Sequence, residues 1–131
     1  MTQEDKELLL KDLCARLLYG VYVYANGMGC YKLSSIELYK GNVIIEINEE
    51  RLSYHLYEIK PYLRPMSSMT KEEKEEYDAL FYIHSDGETY CENWEWMDWM
   101  NAHHFDYRGL IPMGLALEAQ KGMYEIVTTN I

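Results

Sequence analysis

Val21-Tyr22-Val23-Tyr24-Ala25-Asn26-Gly27 is the stretch on which the fold turns. Valines and tyrosines alternate with period two, which places Val21 and Val23 on one face of a strand and Tyr22 and Tyr24 on the other. Asn26-Gly27 is a strong hairpin signal, because both residues tolerate the positive φ that a tight turn between antiparallel strands demands. The pattern therefore predicts strand, turn, strand. Tyr31 and Leu33 continue the alternation, and Ile36 and Leu38 resume it in the opposite phase after Ser34-Ser35, which predicts a bulge or bend there. Gly41-Asn42 supplies the next turn. Val43, Ile45 and Ile47 form an inward row, and Leu52, Tyr54 and Leu56 another. Four or five short antiparallel strands within about forty residues suggest a small twisted sheet or a partly closed barrel of SH3-like size.

Upstream, Leu9, Leu10, Leu13, Cys14 and Leu17 recur at helical spacing, with Thr2 and Asp5 set as a capping box and Gly20 as a stop. A helix over 3–18 is expected, with Glu4, Lys11 and Asp12 on its solvated side. Downstream, Pro61 and Pro65 interrupt regular structure, so residues 61–69 read as an extended connector. Thr70 and Glu73 form a second capping box; Tyr77, Leu80 and Phe81 give that helix an apolar side, while Glu72, Glu75, Glu76 and Asp78 face water. Asn93 is placed to cap a third helix carrying Trp96, Met97, Trp99 and Met100. Gly109 and Pro112 limit the chain from Asp106 onward to one or two helical turns, with a stop near Gly114 and an extended segment from Leu115 to Ala119. The fold class expected is α+β in a single domain: residues 1–60 a helix with a sheet, 70–131 an acidic helical part.

At 131 residues, 48% hydrophobic and 26% charged, the chain has the balance of an ordinary globular domain. The net charge is −10, and its placement is uneven. Residues 21–69 carry five acids and five bases, whereas residues 70–131 carry thirteen acids against Lys71, Lys74, Arg108 and Lys121. Direct binding to nucleic acid or to an anionic membrane would have to overcome that repulsion, so neither is expected. No apolar run reaches membrane-span length and the acidic amphipathic start does not look like a secretory signal, so a cytoplasmic protein is expected. Cys14, Cys30 and Cys91 are too few and too dispersed for a disulfide framework or a four-cysteine zinc site, and read as reduced, buried thiols.

Two phrases, Lys60-Pro-Tyr-Leu-Arg-Pro-Met-Ser-Ser-Met-Thr70 and Asn101-Ala-His-His-Phe-Asp-Tyr-Arg-Gly-Leu-Ile-Pro-Met-Gly-Leu-Ala-Leu-Glu118, give the chain a resemblance. With the looser stretch Asp5 to Leu17, it resembles a group of short uncharacterised proteins from gut anaerobic bacteria and their phages or prophages. The resemblance covers about half of the chain. It implies a setting, a mobile element in a bacterial cytoplasm, and no residue roles.

Candidate chemistry is sparse. His103-His104-x-Asp106 offers metal-ligand types, but neighbouring residues on a helix point about 100° apart, and no second ligand pair follows. The competing reading is a helix end, with an imidazole near free carbonyls and Asp106 capping the next turn. Cys91 with His84 or His103 can be written as a dyad, but no GxSxG, P-loop, GxGxxG or HExxH motif supports acyl transfer, nucleotide or metalloprotease chemistry. Glu92, Glu95 and Asp98 among Trp94, Trp96 and Trp99 suggest a sugar cleft only weakly, since such aromatics are more often core and rim. No cofactor is expected.

Thirteen tyrosines and three tryptophans exceed what a small core needs, and amphipathic rings concentrate where proteins meet. Tyr22, Tyr24, Tyr39 and Tyr57 are candidates to line one sheet face, as an interaction surface or as the seat of the first helix, and Trp94 is the residue expected to be exposed and used. The resulting expectation is a non-enzymatic interaction protein that binds a host or phage protein, or itself. Two other classes stay open. Glu72, Glu75, Glu76 and Asp78 could imitate a phosphate backbone toward a host nucleic-acid-binding protein, and a small hydrolase or metal-dependent enzyme is the last.

Overall fold

The structure, a computed structural model, describes residues 1–27, 29–39, 42–47, 50–83 and 87–124. It is mixed α+β. Helix α1, Gln3–Arg16, opens on the expected capping box: the Asp5 amide donates to Thr2 Oγ1 at 3.0 Å and the Thr2 amide returns to Asp5 Oδ2 at 3.3 Å. A 3₁₀ turn over Leu17–Tyr19 extends it to Gly20, whose φ of 71° is the left-handed stop that glycine adopts without strain.

The buried face of α1 differs from the apolar count. Leu9 and Leu13 are buried as expected, but with them go Asp12 and Arg16, while Cys14 is exposed. An i,i+4 ion pair explains the rotation: Arg16 Nε donates to Asp12 at 2.8 Å, and both side chains are fully buried. Neutralised against each other, the two charges pack inside, Asp12 where a solvated residue was expected. Cys30 is also exposed and Cys91 half-buried, so the buried-thiol reading fails at all three positions; all are free.

The strands are β1 (Tyr22–Ala25), β2 (Gly29–Tyr39), β3 (Asn42–Ile47), β4 (Glu50–Tyr54), β5 (Ile59–Leu63), β6 (Tyr82–Ile83), β7 (Thr89–Tyr90) and β8 (Leu117–Glu118). Six of them form one mixed sheet in the order β4-β3-β2-β1-β5-β8, and β6 and β7 pair separately. β2 is shared by two ladders. Its first residues pair with β1, Leu33 to Tyr39 pair with β3, and the register shifts between Leu33 and Ser35, where the change of alternation predicted a bulge. No pairing among the described residues joins β4 to β8, so SH3-like closure finds no support.

β5 corrects the connector. Ile59–Leu63 is a central strand, antiparallel to β1 and parallel to β8. Pro61 is tolerated because the Asn26 amide bonds Glu58 O at 3.0 Å, which fixes the alternation and leaves Val23↔Pro61 on a non-bonded pair. The missing N–H of Pro61 then faces β8, which pairs only from Tyr62 onward.

The core joins Leu9 and Leu13 to Val21, Val23, Ala25, Leu33, Ile45, Ile47, Leu56, Ile59 and Leu63, and to Leu110, Leu115 and Ala116 of the second half. Each fully buried aliphatic contributes about 1.5–3 kcal/mol by area, an upper bound. Helix α1 therefore sits on the valine face, not on Tyr22 and Tyr24.

Helix α2, Lys71–Ala79, begins at the Thr70–Glu73 capping box, and α3 is Asn93–Ala102. The residue capping α3 is Glu92, not Asn93; its carboxylate makes no cap bond and accepts from Tyr82 Oη at 3.2 Å. The short β6–β7 hairpin lies between the two helices in the chain. The segment after α3 runs through turns to β8, as Gly109 and Pro112 required.

Candidate interaction surface and the polar network behind it

Residues 103–106 carry the second half onto the sheet. Arg64, just past β5, exchanges backbone bonds with this segment: its amide donates to His104 O at 2.7 Å, and the Asp106 amide donates to Arg64 O at 2.8 Å. Asp106 then accepts from the amides of Leu110 and Ile111 at 2.8 and 2.9 Å, the capping role expected of it. Phe105 is fully buried, with the Arg64 guanidinium 4.3 Å from its ring centroid and Trp99 stacked at 5.7 Å.

Two ion-pair groups flank that ring. In the first, Arg64 grips Glu73 through both guanidinium nitrogens at 2.6 Å, His103 Nδ1 lies 2.8 Å from Glu73 Oε2, and the Thr70 amide donates to Oε1 at 3.0 Å. Burial alone would raise the Glu73 pKa, but the Arg64, Thr70 and His103 hydrogen bonds outweigh it and hold the carboxyl at about 2. In the second group, Asp12 takes Arg16 and Arg108, at 2.8 and 3.2 Å, and Arg16 Nη2 donates to Phe105 O at 2.7 Å. These charges hold the halves together. With every Glu73 oxygen engaged, the carboxylate has no lone pair placed to act as a base.

The adjacent histidines diverge. His103 ends α3 and turns to Glu73, whereas His104, at φ 63°, is buried and stacks on Tyr124 with ring centroids 3.7 Å apart. Burial, then the charges of Arg16, Arg64 and His103, lowers the His104 pKa to about 4, so its imidazole is neutral at pH 7. Among the described residues no group of three His, Cys, Asp or Glu side chains is gathered to hold a metal ion. His84, half of one dyad written from the sequence, lies outside the described residues.

The aromatic candidates do not share one face. Tyr22 and Tyr24 are half-buried on the side of β1 opposite the core, and Tyr22 leans on Tyr124 at 5.6 Å. Tyr57 lies in a 3₁₀ turn, Leu56–Glu58, exposed and stacked on His55, so it does not belong to the sheet face assigned to it. The Tyr39 side chain lies outside the described residues. Trp94 is 64% exposed on the first turn of α3, and Tyr82 and Tyr90, which meet edge-on at 4.4 Å, are exposed on the hairpin that leads into that helix. The other two tryptophans point inward: Trp96 Nε1 donates to Tyr77 Oη at 3.3 Å, and Trp99 packs on Tyr77, His103 and Phe105.

Glu72, Glu75, Glu76 and Asp78 are exposed on α2, where Asp78 pairs with Lys74 at 3.0 Å. In the sequence Glu73, between them, is legible only as a cap. The signal for its second role is a cap glutamate nine residues after an arginine flanked by leucine and proline. Tyr124 has no role legible in the sequence, and Asp12 reads there as solvated. No helix among the described residues is long and apolar enough to cross a membrane. Compared with known proteins, the chain matches no family model, no curated protein and no solved structure.

Proposed function

We propose that the protein is a non-enzymatic interaction module of a mobile element, acting in a bacterial cytoplasm and engaging a protein partner through the aromatic surface around Trp94. The observation that carries the reading is the 64% exposure of Trp94, together with the exposed rings of Tyr82 and Tyr90 on the hairpin that precedes its helix in the chain. Large aromatic side chains left in water are a standing hydrophobic cost, and such rings are the commonest anchors of protein interfaces. Exposed carboxylates lie on the same and neighbouring elements: Glu92, bonded to Tyr82, Asp98 on α3, and Glu72, Glu75 and Glu76 on α2. That composition suits a partner whose contact surface is apolar at its centre and basic at its rim. The mobile-element setting rests on the resemblance alone.

The test is affinity capture from lysate of a gut anaerobic host, nuclease-treated, at low and high salt, with Trp94→Ala and a Glu72→Gln/Glu75→Gln/Glu76→Gln variant alongside. A specific partner kept in high salt and lost with Trp94→Ala supports the aromatic anchor. Binding that salt or the triple variant removes, and Trp94→Ala spares, would instead make the acidic face of α2 the working surface, as a phosphate mimic requires. Recovery of the protein alone, with a dimer in sedimentation that Trp94→Ala dissolves, would make the partner a second copy.

A further inference from the structure

We propose that residues 120–124 form a closed strap over a phenol-binding site, and that Tyr124 is the ligand held there in cis. The β1–β5 ladder is interrupted at this site. The bond from the Asn26 amide to Glu58 O sets its alternation, so bonded pairs recur at Tyr24↔Lys60 and next at Tyr22 opposite Tyr62. The ladder instead stops at Val23↔Pro61. In place of a direct bond, the Tyr22 amide donates to Tyr124 Oη at 2.8 Å and that hydroxyl donates to Tyr62 O at 2.7 Å. One phenol is threaded between two strands, accepting from the first and donating to the second.

The walls of the slot fit a flat ring. The His104 imidazole stacks on Tyr124 at 3.7 Å and 13°. His104 is 8% exposed, is held at the left-handed φ that β-carbon-bearing residues rarely adopt, and keeps a buried Nδ1 without a partner among the described residues. The Tyr22 ring lies 5.6 Å away on a tilt.

The strap itself is undercut on two sides. A cleft of about 270 Å³ is lined by Arg64, Pro65, Glu118, Gly122 and Tyr124, and another of about 440 Å³ by Tyr22, His104, Gly122, Met123 and Tyr124. Gly122 and Tyr124 border both, so the strap is the wall between them, and its withdrawal joins them into one groove. Among the described residues, Tyr124 makes the only side-chain hydrogen bonds that tie 120–124 to the sheet. What its departure leaves is an N–H and a C=O converging on one hydroxyl position, beside an imidazole face. That set selects a phenol over a ring without a hydroxyl, whether the phenol is a free small molecule or the tyrosyl side chain of another chain. While tethered, Tyr124 acts at a high effective concentration and excludes both.

The experiment uses full-length Tyr124→Ala, titrated with p-cresol, N-acetyltyrosinamide and toluene, and reads thermal unfolding together with amide exchange of Tyr22. p-Cresol is expected to raise the melting temperature of the variant and to restore slow exchange at Tyr22, with toluene inactive and the wild type unresponsive. N-Acetyltyrosinamide acting as well assigns the site to a tyrosyl side chain; p-cresol alone assigns it to a small phenol. Equal effects of p-cresol and toluene, or none from either phenol, overturn the proposal. Should Tyr124→Ala not fold, Tyr124→Phe carries the test. Losing the hydroxyl should speed Tyr22 exchange about tenfold, the worth of one hydrogen bond, with recovery in p-cresol, and unchanged exchange overturns the claim.

Discussion

The carboxylate of Glu73 and the guanidinium of Arg64 meet through two parallel hydrogen bonds of 2.6 Å, with the glutamate 1% exposed and the arginine 12%. The pair ties the start of α2 to the end of β5, and His103 adds the end of α3. Removing the negative member leaves a confined cation behind. Glu73→Gln is therefore expected to cost about 3 kcal/mol in urea unfolding at pH 7, and a loss below 1 kcal/mol would show that the pair is not held in solution.

The same glutamate sets an acid limb. Its folded pKa, about 2, lies below the ordinary 4.5, so the unfolded chain binds its proton first as pH falls. The stability it contributes is full above about pH 4.5 and fades toward about pH 2. Wild type and Glu73→Gln compared across that window should converge at the acid end.

His104 adds a separate limb at higher pH. Its pKa is depressed from 6.5 to about 4, so the unfolded state takes up the proton first between those values and stability falls with acidification there. In His104→Phe the slope between pH 6.5 and 4 should shrink. In the wild type, the ring protons of His104 should not titrate above pH 5 by NMR.

Asp12 and Arg16 make a test of a different kind. Asp12→Ala strands two guanidinium groups, one of them fully buried, and is expected to destabilise by about 3–5 kcal/mol, whereas Asp12→Leu with Arg16→Met should recover most of that loss. A double-mutant cycle with no coupling would refute the pairing.

The tryptophans should separate cleanly. Trp99→Ala empties a space bounded by Tyr77, His103 and Phe105 and is expected to cost about 3–5 kcal/mol. Trp94→Ala removes an exposed ring and should stay within about 0.5 kcal/mol of wild type by thermal unfolding, so that any loss of binding in that variant reflects the surface.

Local chemistry is readable in the sequence wherever it is self-contained. Both capping boxes involve residues three apart, the Ser34-Ser35 bulge announces itself as a change of phase, and the acids of α2 have no reason to leave water. Features that depend on a distant partner are not readable. Asp12 counts as a solvated residue until Arg16 and Arg108 are seen to neutralise it. Pro61 reads as a breaker until the ladder shows its nitrogen facing an unpaired position. Tyr124 carries no pattern at all, since its role exists only between Tyr22 and Tyr62.

The bond from Arg16 to Phe105 O spans 89 residues of chain. On a ribosome adding about 5–20 residues per second, Arg16 is synthesised roughly 4–18 s before the carbonyl that receives its buried guanidinium has been made. During that interval the helix can form, but it cannot settle its charged face, and the valine face of β1 has no second half to complete its cover. A nascent chain stalled before residue 105 should therefore remain protease-sensitive throughout, with protection arriving in one step as the His103 to Asp106 segment clears the exit tunnel.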